Sequence, residues 1–333
     1  MNMIAVVIGV LAGICIFLFV LLNFLYLRTN HSRNFFENAD KFVAGVPKGL
    51  QMVATGSSYA KFDIDFTQDV DKFNFGVFPQ SLHYDYKILQ QYHEYMERDC
   101  IVIVTLAPLN FGMIDYLDDV SNYKYYKFLK PKYILHFRWR TYVSHILFPL
   151  LATPRLARYI RRDVEYINLM ELGEIDEKQI KQEADEREKG WCRQFNLLNL
   201  KEVRISNGME TTLNKTGEIL EDMVDFCNQK GFRPILMIPP VSGELTERFS
   251  KEFLDAYLYS NIKKVRGKVK GVLDYWSEEE FMDCRFYFSS DFMNKTGRQL
   301  FTERLMNDVA VLFESDLSRN VEKPVCPRQN PAI

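Results

Sequence analysis

The sequence predicts an α/β protein, in which helices flank a parallel sheet and an apolar helix precedes it. Short apolar runs rich in β-branched residues, such as Cys100–Leu106 (CIVIVTL), are typical of central strands buried on both faces. Helical patterns separate these runs, and strands that alternate with helices favour a parallel sheet. The apolar helix is predicted from the uncharged stretch Ile4–Leu27.

This first stretch is long enough to cross about 30 Å of hydrocarbon as a helix. A secretory signal peptide is the alternative, but no basic region precedes the stretch and no small-residue cleavage site follows it. We therefore expect residues 1–27 to hold an uncleaved membrane anchor. Arg28 and Arg33 follow the stretch, and the positive-inside rule taken alone would leave the remaining chain in the cytoplasm.

Beyond the anchor, residues 28–49 are predicted to be a stalk, 50–318 an α/β domain and 319–333 a flexible tail. The domain should contain strands at Leu50–Ala54, Phe73–Phe78, Cys100–Leu106, Arg233–Ile238, Val272–Trp276 and Cys284–Phe288. Its helices are expected at Ser81–Arg98, Thr211–Lys230, Glu244–Ser260 and Gly297–Glu314, the last with Leu300, Phe301, Leu305, Val309 and Leu312 facing inward.

Composition excludes several classes of function. The net charge of −2 gives no reason to expect nucleic acid as a partner. The 6 cysteines are scattered without the spacing of a zinc site or a disulfide framework. No glycine-rich nucleotide motif is present, so we expect neither a metal nor a cofactor.

Residues 123–190 form an insertion of unusual charge. Residues 123–162 contain ten Lys and Arg and no acidic residue, interleaved with aromatic side chains, whereas Asp and Glu outnumber Lys and Arg in residues 163–190. One interpretation is a helical insertion whose two halves neutralise each other. The other is a basic and aromatic surface that contacts anionic lipid or a cell-surface polymer.

The stretch Leu50–Ala60 (LQMVATGSSYA) carries the strongest sign of chemistry. A strand that ends in a Gly-Ser turn places a serine at the carboxyl edge of the sheet, where open α/β folds bind ligands. Ser58 is the candidate nucleophile, and the backbone around Gly56 and Ser57 could supply oxyanion donors. The alternative is an ordinary strand-to-helix loop that a serine caps.

Four features in this order resemble the SGNH hydrolase superfamily. They are the apolar N-terminal stretch, the Gly-Ser-Ser turn, the strand ending in IPPVS and the helix entry DFMNKTGRQLF. The nearest branch is the membrane-anchored DltD-like proteins of bacterial envelope acylation. The resemblance implies an SGNH or flavodoxin-like sheet and Ser58 as the nucleophile. By analogy Asn110 could be an oxyanion donor, although it also fits a turn.

The same resemblance shows what is missing. In the family, an Asp-x-x-His block before the last helix completes the triad, but here Ser289 and Phe292 occupy the two positions. Asp291 lies beside the missing histidine. A serine hydroxyl is a weak nucleophile without an adjacent base. No histidine follows residue 145, and only His83 or His93 could substitute from the second predicted helix.

Two functions remain open at this point. The first is a component of an envelope O-acylation system, working beside a membrane-bound O-acyltransferase, with little or no esterase activity of its own. The second is a non-catalytic scaffold or polymer-binding protein of the cell envelope. The resemblance implies a domain outside the cell, against the charge bias at Arg28 and Arg33.

Overall fold

A computed structural model describes residues 3–114 and 119–321 of the protein. Its central feature is a five-stranded sheet in which all neighbouring strands are parallel, with the order β2-β1-β3-β4-β5. The strands are β1 (Leu50–Thr55), β2 (Lys72–Asn74), β3 (Met96–Thr105), β4 (Arg233–Ile238) and β5 (Val272–Asp274). The predicted parallel α/β fold is confirmed, and this order is the flavodoxin-like one.

The helices differ greatly in length. The first four are α1 (Met3–Leu27), α2 (Asn30–Ala44), α3 (Ser58–Asp63) and α4 (Leu82–Tyr92), and three further long helices are Glu177–Phe195, Asn207–Lys230 and Lys295–Val321. Short α-helical segments are Asp119–Asn122, Trp139–Thr141, Pro149–Ala152, Arg158–Arg161, Gly243–Thr246, Lys251–Leu254 and Ser260–Val265. Short π-helical turns are Tyr142–Leu147 and Asp255–Tyr259, and the 3-10 turns are His93–Tyr95, Pro108–Gly112, Tyr123–Lys127, Pro131–Tyr133, Pro154–Ala157, Leu169–Glu171, Arg266–Lys268, Glu279–Phe281 and Cys284–Phe286.

The sheet is buried on both faces, because successive side chains of a strand point to opposite sides. Val102 and Val104 of β3 pack into a core with α2, α4 and the helix Asn207–Lys230. Ile103, between them, packs on the other side against the helix Lys295–Val321. The apolar runs of the sequence reflect this double burial.

Several predicted boundaries were wrong. The helix predicted at Ser81–Arg98 ends at Tyr92, and β3 begins at Met96. β3 pairs Met96 with Leu50 but Ile101 with Met52, so the extra residues bulge between these pairs. Asp99 in the bulge has a φ of 69°, a left-handed conformation that Asp tolerates better than most residues. A polar, irregular strand of this kind resembles a helix end in sequence.

The later elements also differ from prediction. Of the predicted strand Cys284–Phe288, only Tyr287 and Phe288 are extended. They belong to β6 (Tyr287–Ser289), which pairs antiparallel with β7 (Phe292–Met293), apart from the main sheet. The predicted helix Glu244–Ser260 is interrupted, because Ser250 caps a new helix by accepting the Phe253 amide. Leu300, expected to face inward, is 44% exposed. Of the predicted tail, residues 322–333 lie outside the described part of the chain.

The segment predicted as a stalk is instead a helix of the domain. Thr29 caps α2, and Phe36, Ala39 and Phe42 of α2 are buried in the core. Phe42 stacks on Phe128 with ring centroids 4.0 Å apart. The polar residues of α2 that suggested a stalk form the outer face of an amphipathic helix.

The insertion contributes to the same core. Tyr125 is fully buried and stacks on Tyr84 of α4, with ring centroids 3.6 Å apart. Ion pairs of its acidic half lead to other parts of the chain, since Asp185 pairs with Arg248 and Glu171 with Lys295. These ion pairs connect the acidic half to other parts of the chain and do not support mutual neutralisation of the two halves.

Helix α1 is the described helix that is long and apolar enough to cross a membrane, although a signal sequence passes the same test. Its first half is exposed on all sides, and protein contacts begin near Phe19. This placement agrees with a single N-terminal membrane helix.

We predict that Phe42→Ala lowers the free energy of unfolding by about 3–5 kcal/mol, because it removes a buried aromatic ring. The measurement is chemical denaturation of the detergent-solubilised chain. Val43→Ala, at a neighbouring position that is 62% exposed, is the matched control and should stay within about 0.5 kcal/mol. If Phe42→Ala lowered the free energy of unfolding as little as Val43→Ala, α2 would not stabilise the domain.

Candidate functional site

A cavity of about 220 Å³ lies at the carboxyl ends of β1 and β3. The order of the sheet reverses between these two strands, and such switch points are where open α/β sheets bind ligands. Ser57 and Ser58 reach the cavity from the turn between β1 and α3. Asn110 reaches it from the 3-10 turn Pro108–Gly112 that follows β3. The Gly-Ser turn and Asn110 therefore line the same cavity.

Gly56 makes this close approach possible. Its φ is +124°, and a Cβ at this position would lie 2.5 Å from the carbonyl oxygen of Thr105 in β3. Any side chain would force the two strand ends apart. Gly56 therefore has a structural role in the turn.

Asp85 stabilises the turn through hydrogen bonds. It is fully buried in the first turn of α4, and its Oδ1 accepts the Thr55 hydroxyl at 2.9 Å and the Gly56 amide at 2.8 Å. The Gln80 side-chain amide, which belongs to the cavity wall, donates to the same oxygen. Burial raises the pKa of Asp85 to about 7, although the hydrogen bonds lower it. One carboxyl group thus links β1, the turn and the cavity wall.

Asn110 has two roles. Its Oδ1 accepts the Ala107 amide at 2.5 Å, which closes the turn after β3. Its Nδ2 donates to the Ser57 hydroxyl at 3.5 Å. The amide group of Asn110 therefore faces the serine turn, as an oxyanion donor would, while it also stabilises its own loop.

Asp291 lies in the cavity wall and is buried, but it is already engaged. Its Oδ1 accepts Arg187 Nη2 at 2.8 Å and the Ser289 hydroxyl at 2.9 Å. Burial raises the pKa of Asp291, and the neighbouring Arg187 opposes this effect. A carboxylate that is shared by a guanidinium and a hydroxyl is poorly placed to take a proton from Ser58.

Phe292 also lines the cavity. Its ring packs against Tyr59 and Phe62, at centroid distances of 5.3 and 5.0 Å. The Arg187 guanidinium lies 5.5 Å from the Phe292 centroid and 5.8 Å from that of Trp191. Ser289 donates to Asp291 instead of orienting an imidazole. The two substituted positions therefore belong to an aromatic and ion-paired wall.

The hairpin that carries these residues is fixed to α3. Asp63, at the end of α3, accepts the Met293 amide at 3.0 Å. Asp63 is fully buried, and burial raises its pKa well above the usual range. Asp291 and Phe292 are thus held at a set position relative to Ser58, which begins the same helix.

Histidines do not complete the site among the described residues. His93 Nδ1 contacts the Gln90 carbonyl at 2.9 Å, and its ring packs on Phe226. His83 is half-buried beside Lys87 and His136, and burial lowers its pKa. Neither residue lines the cavity, so neither histidine serves as a general base for Ser58.

Arg187, Trp191 and Asp85 were not predicted as site residues from the sequence. Arg187 was assigned to the acidic half of the insertion, and Trp191 directly follows it. Both side chains share one face of the helix Glu177–Phe195 with Ile180, Ala184 and Phe195. Their spacing of three and four residues could have revealed this face. In the same way Asp85 stands between Leu82 and Leu89 on the buried face of α4.

The arrangement is suited to binding. Arg187 and Asn110 can hold an oxygen of a carbonyl or an anionic group, and aromatic rings surround the remaining space. The comparison with models of known protein families gave no match, and no curated protein matched the chain. The function proposed below therefore depends on the geometry of this cavity.

We predict that Asp85→Ala destabilises the protein strongly, because it leaves buried donors without their acceptor at a cost of about 1–3 kcal/mol each. Thermal unfolding of the detergent-solubilised chain measures the effect. Asp85→Asn keeps an acceptor oxygen and should be much milder. If both variants melted like the wild type, Asp85 would not hold the turn.

The pH dependence gives a second measurement on the same residue. In the unfolded chain an aspartate titrates near pH 4 (about 3.9), whereas burial raises the pKa of Asp85 to about 7 in the folded protein. The folded state therefore binds the proton more tightly. The contribution of Asp85 to stability is full below about pH 4 and is lost as pH rises through about 7. Asp85→Asn should flatten this part of the profile.

Proposed function

We propose that the protein is a membrane-anchored, SGNH-like component of a bacterial envelope O-acylation system, in which the Ser58 cavity holds an acyl group or its acceptor. The observation that carries the proposal is the cavity itself. It brings Ser58, Ser57 and Asn110 together at the switch point of the sheet, while Phe292 lines it in place of a general base. The site is thus arranged for binding and lacks an imidazole to activate the serine.

The size of the cavity supports a small ligand. A volume of about 220 Å³ is below the roughly 300–1,000 Å³ of sites for drug-sized ligands. A short acyl group such as acetyl fits this space better than a fatty acid. Its carbonyl oxygen would face Asn110 and Arg187, and its methyl group would contact Phe292 or Phe195.

The membrane-bound O-acyltransferase is the proposed partner. Without a base, Ser58 gains little nucleophilicity, so the bond-making step would belong to that enzyme. This chain would position the acyl group or the polysaccharide acceptor close to the membrane. On this proposal the domain lies outside the cell, where such polymers are found.

A second function is a non-catalytic scaffold that binds a cell-envelope polymer. The observation that favours it is the pairing of Arg187 with Asp291 beneath aromatic rings, since aromatic and charged groups together suit sugar binding. The two functions differ in whether Ser58 is needed at all.

We predict that the full-length protein in detergent hydrolyses p-nitrophenyl acetate little above the buffer rate. Ser58→Ala should leave this rate almost unchanged, because an unactivated hydroxyl contributes little. Fluorophosphonate probes should label Ser58 poorly. Brisk hydrolysis that Ser58→Ala abolishes would show a working base and overturn the inactive-site part of the proposal.

The role in acylation is measured in cells that produce the protein. Deletion should lower the content of base-labile esters on surface polymers, and Ser58→Ala should reproduce the loss if Ser58 contacts the acyl group. Ser277→Ala, at an exposed serine outside the cavity, is the control and should behave as wild type. An ester loss on deletion that Ser58→Ala does not reproduce would favour the scaffold. If deletion caused no ester loss, the proposed role in O-acylation would be contradicted.

The proposed outward orientation predicts that Val70→Cys reacts with a membrane-impermeant maleimide in intact cells. Val70 is 88% exposed, so its substitution should not disturb folding. The wild-type chain measures the background from its own cysteines, and lysed cells give full exposure. Labelling of Val70→Cys only after lysis would place the domain in the cytoplasm.

A further inference from the structure

The second half of α1 is covered by one part of the insertion, residues 139–162, which we call the interface segment. Its short helices Pro149–Ala152 and Arg158–Arg161, and the turn between them, contact α1. The ring of Phe148 lies 5.7 Å from that of Phe19 in α1. His31, at the start of α2, stacks on Tyr159 with centroids 3.8 Å apart. The interface segment therefore packs against one side of the end of the membrane helix, where Asn23 and Tyr26 are buried while Phe24 stays exposed.

A buried polar contact makes this packing specific. Asn23 of α1 is 1% exposed, and its Oδ1 accepts the backbone amide of Leu150 at 2.9 Å. Its Nδ2 donates to the Phe19 carbonyl at 2.8 Å. A polar side chain in an apolar membrane helix needs such partners, because lipid offers none. The interface segment thus supplies the hydrogen-bond donor that the Asn23 side chain needs and that lipid cannot provide.

The depth of the contact follows from helix geometry. With a rise of about 1.5 Å per residue, α1 is about 37 Å long and Phe19 lies about 12 Å from its end at Leu27. The hydrocarbon core is about 30 Å thick. If α1 spans it, a residue that touches Phe19 lies at the boundary of the hydrocarbon or within it. Phe148 and its neighbours must therefore enter the membrane surface.

The exposed side chains of the interface segment fit this location. Trp139 is 66% exposed and Leu151 56%, and Val143 and Leu147 are also exposed. Tryptophan is enriched where membranes meet water. In water these apolar groups would be costly to expose next to one another, but in the headgroup region they are solvated by lipid.

The charges of the same segment are all positive. Arg155, Arg158, Arg161 and Arg162 are exposed close to the end of α1, and the segment contains no acidic residue. Guanidinium groups bind phosphates with paired hydrogen bonds. Asp163, the first acidic residue after the segment, is engaged elsewhere, since it accepts the amides of Asn30 and His31 at the start of α2.

We infer that the interface segment, residues 139–162, is a second membrane contact, which lies in the headgroup layer beside α1 and binds anionic phospholipid through its arginines. This inference concerns the membrane surface and does not rest on the proposed function of the cavity. Lipid is the expected ligand, because the segment packs directly on the membrane helix.

The test uses the full-length protein in nanodiscs. Lipids brominated on their acyl chains should quench the emission of Trp139, and Trp139→Phe should remove the quenched fraction. Brominated phosphatidylglycerol should quench roughly twofold more than brominated phosphatidylcholine at equal content, because the arginines recruit the anionic lipid. Replacing Arg155, Arg158, Arg161 and Arg162 with Gln should abolish this difference.

Two controls keep the result specific. Trp191→Phe should leave the intensity that lipid quenches unchanged, because Trp191 faces the cavity. Replacing four exposed cations elsewhere with Gln, namely Lys178, Lys181, Arg193 and Lys201, should preserve the preference for anionic lipid. Quenching of Trp139 by aqueous iodide but not by lipid would overturn the membrane contact. Equal quenching by both lipids would overturn the binding of anionic phospholipid. Protection of Trp139 from iodide only by a soluble anionic polymer would overturn it as well.

Discussion

The close approach of β1 and β3 is the constraint on which the candidate site depends. Gly56 allows the two strand ends to meet, and the buried carboxyl group of Asp85 holds the turn by accepting hydrogen bonds from Thr55 and Gly56. Because Asp85 also accepts the Gln80 amide, the same group orients one wall of the cavity. The strand order then places Asn110 opposite the serines.

The opposite wall shows how a cavity beside two serines can be stable without a general base. An unpaired aspartate buried there would be costly, but Arg187 and Ser289 satisfy Asp291. Phe292 then packs with Tyr59 and Phe62 in the space that an imidazole would need. A single Phe292→His substitution would place a ring nitrogen among aromatic groups and beside the Arg187 cation. The wall is therefore coupled, and its residues must change together to give a base.

Much of the sheet could be predicted from the sequence, because β3 and β4 are buried on both faces and leave unbroken apolar runs. The position of Ser58 followed from the glycine-serine turn. The wall containing Arg187 could not be predicted in the same way, since its contacts to Asp291 join residues 104 positions apart in the sequence. Helix α2 was mistaken for a stalk because its apolar residues are few, and only packing on Phe128 and the sheet shows their role.

Helix α2 also connects the membrane to the cavity. At its start, Asp163 of the insertion accepts the amides of Asn30 and His31, next to the end of α1. Further along, the Asn38 side chain exchanges two hydrogen bonds with the backbone of Phe78, a residue of the cavity wall. Since an α-helix is stiff over its roughly 22 Å length, the cavity is held at a set distance from the end of α1. A fixed geometry of this kind suits work with a membrane-embedded partner, whereas a free stalk would suit a search along a distant polymer.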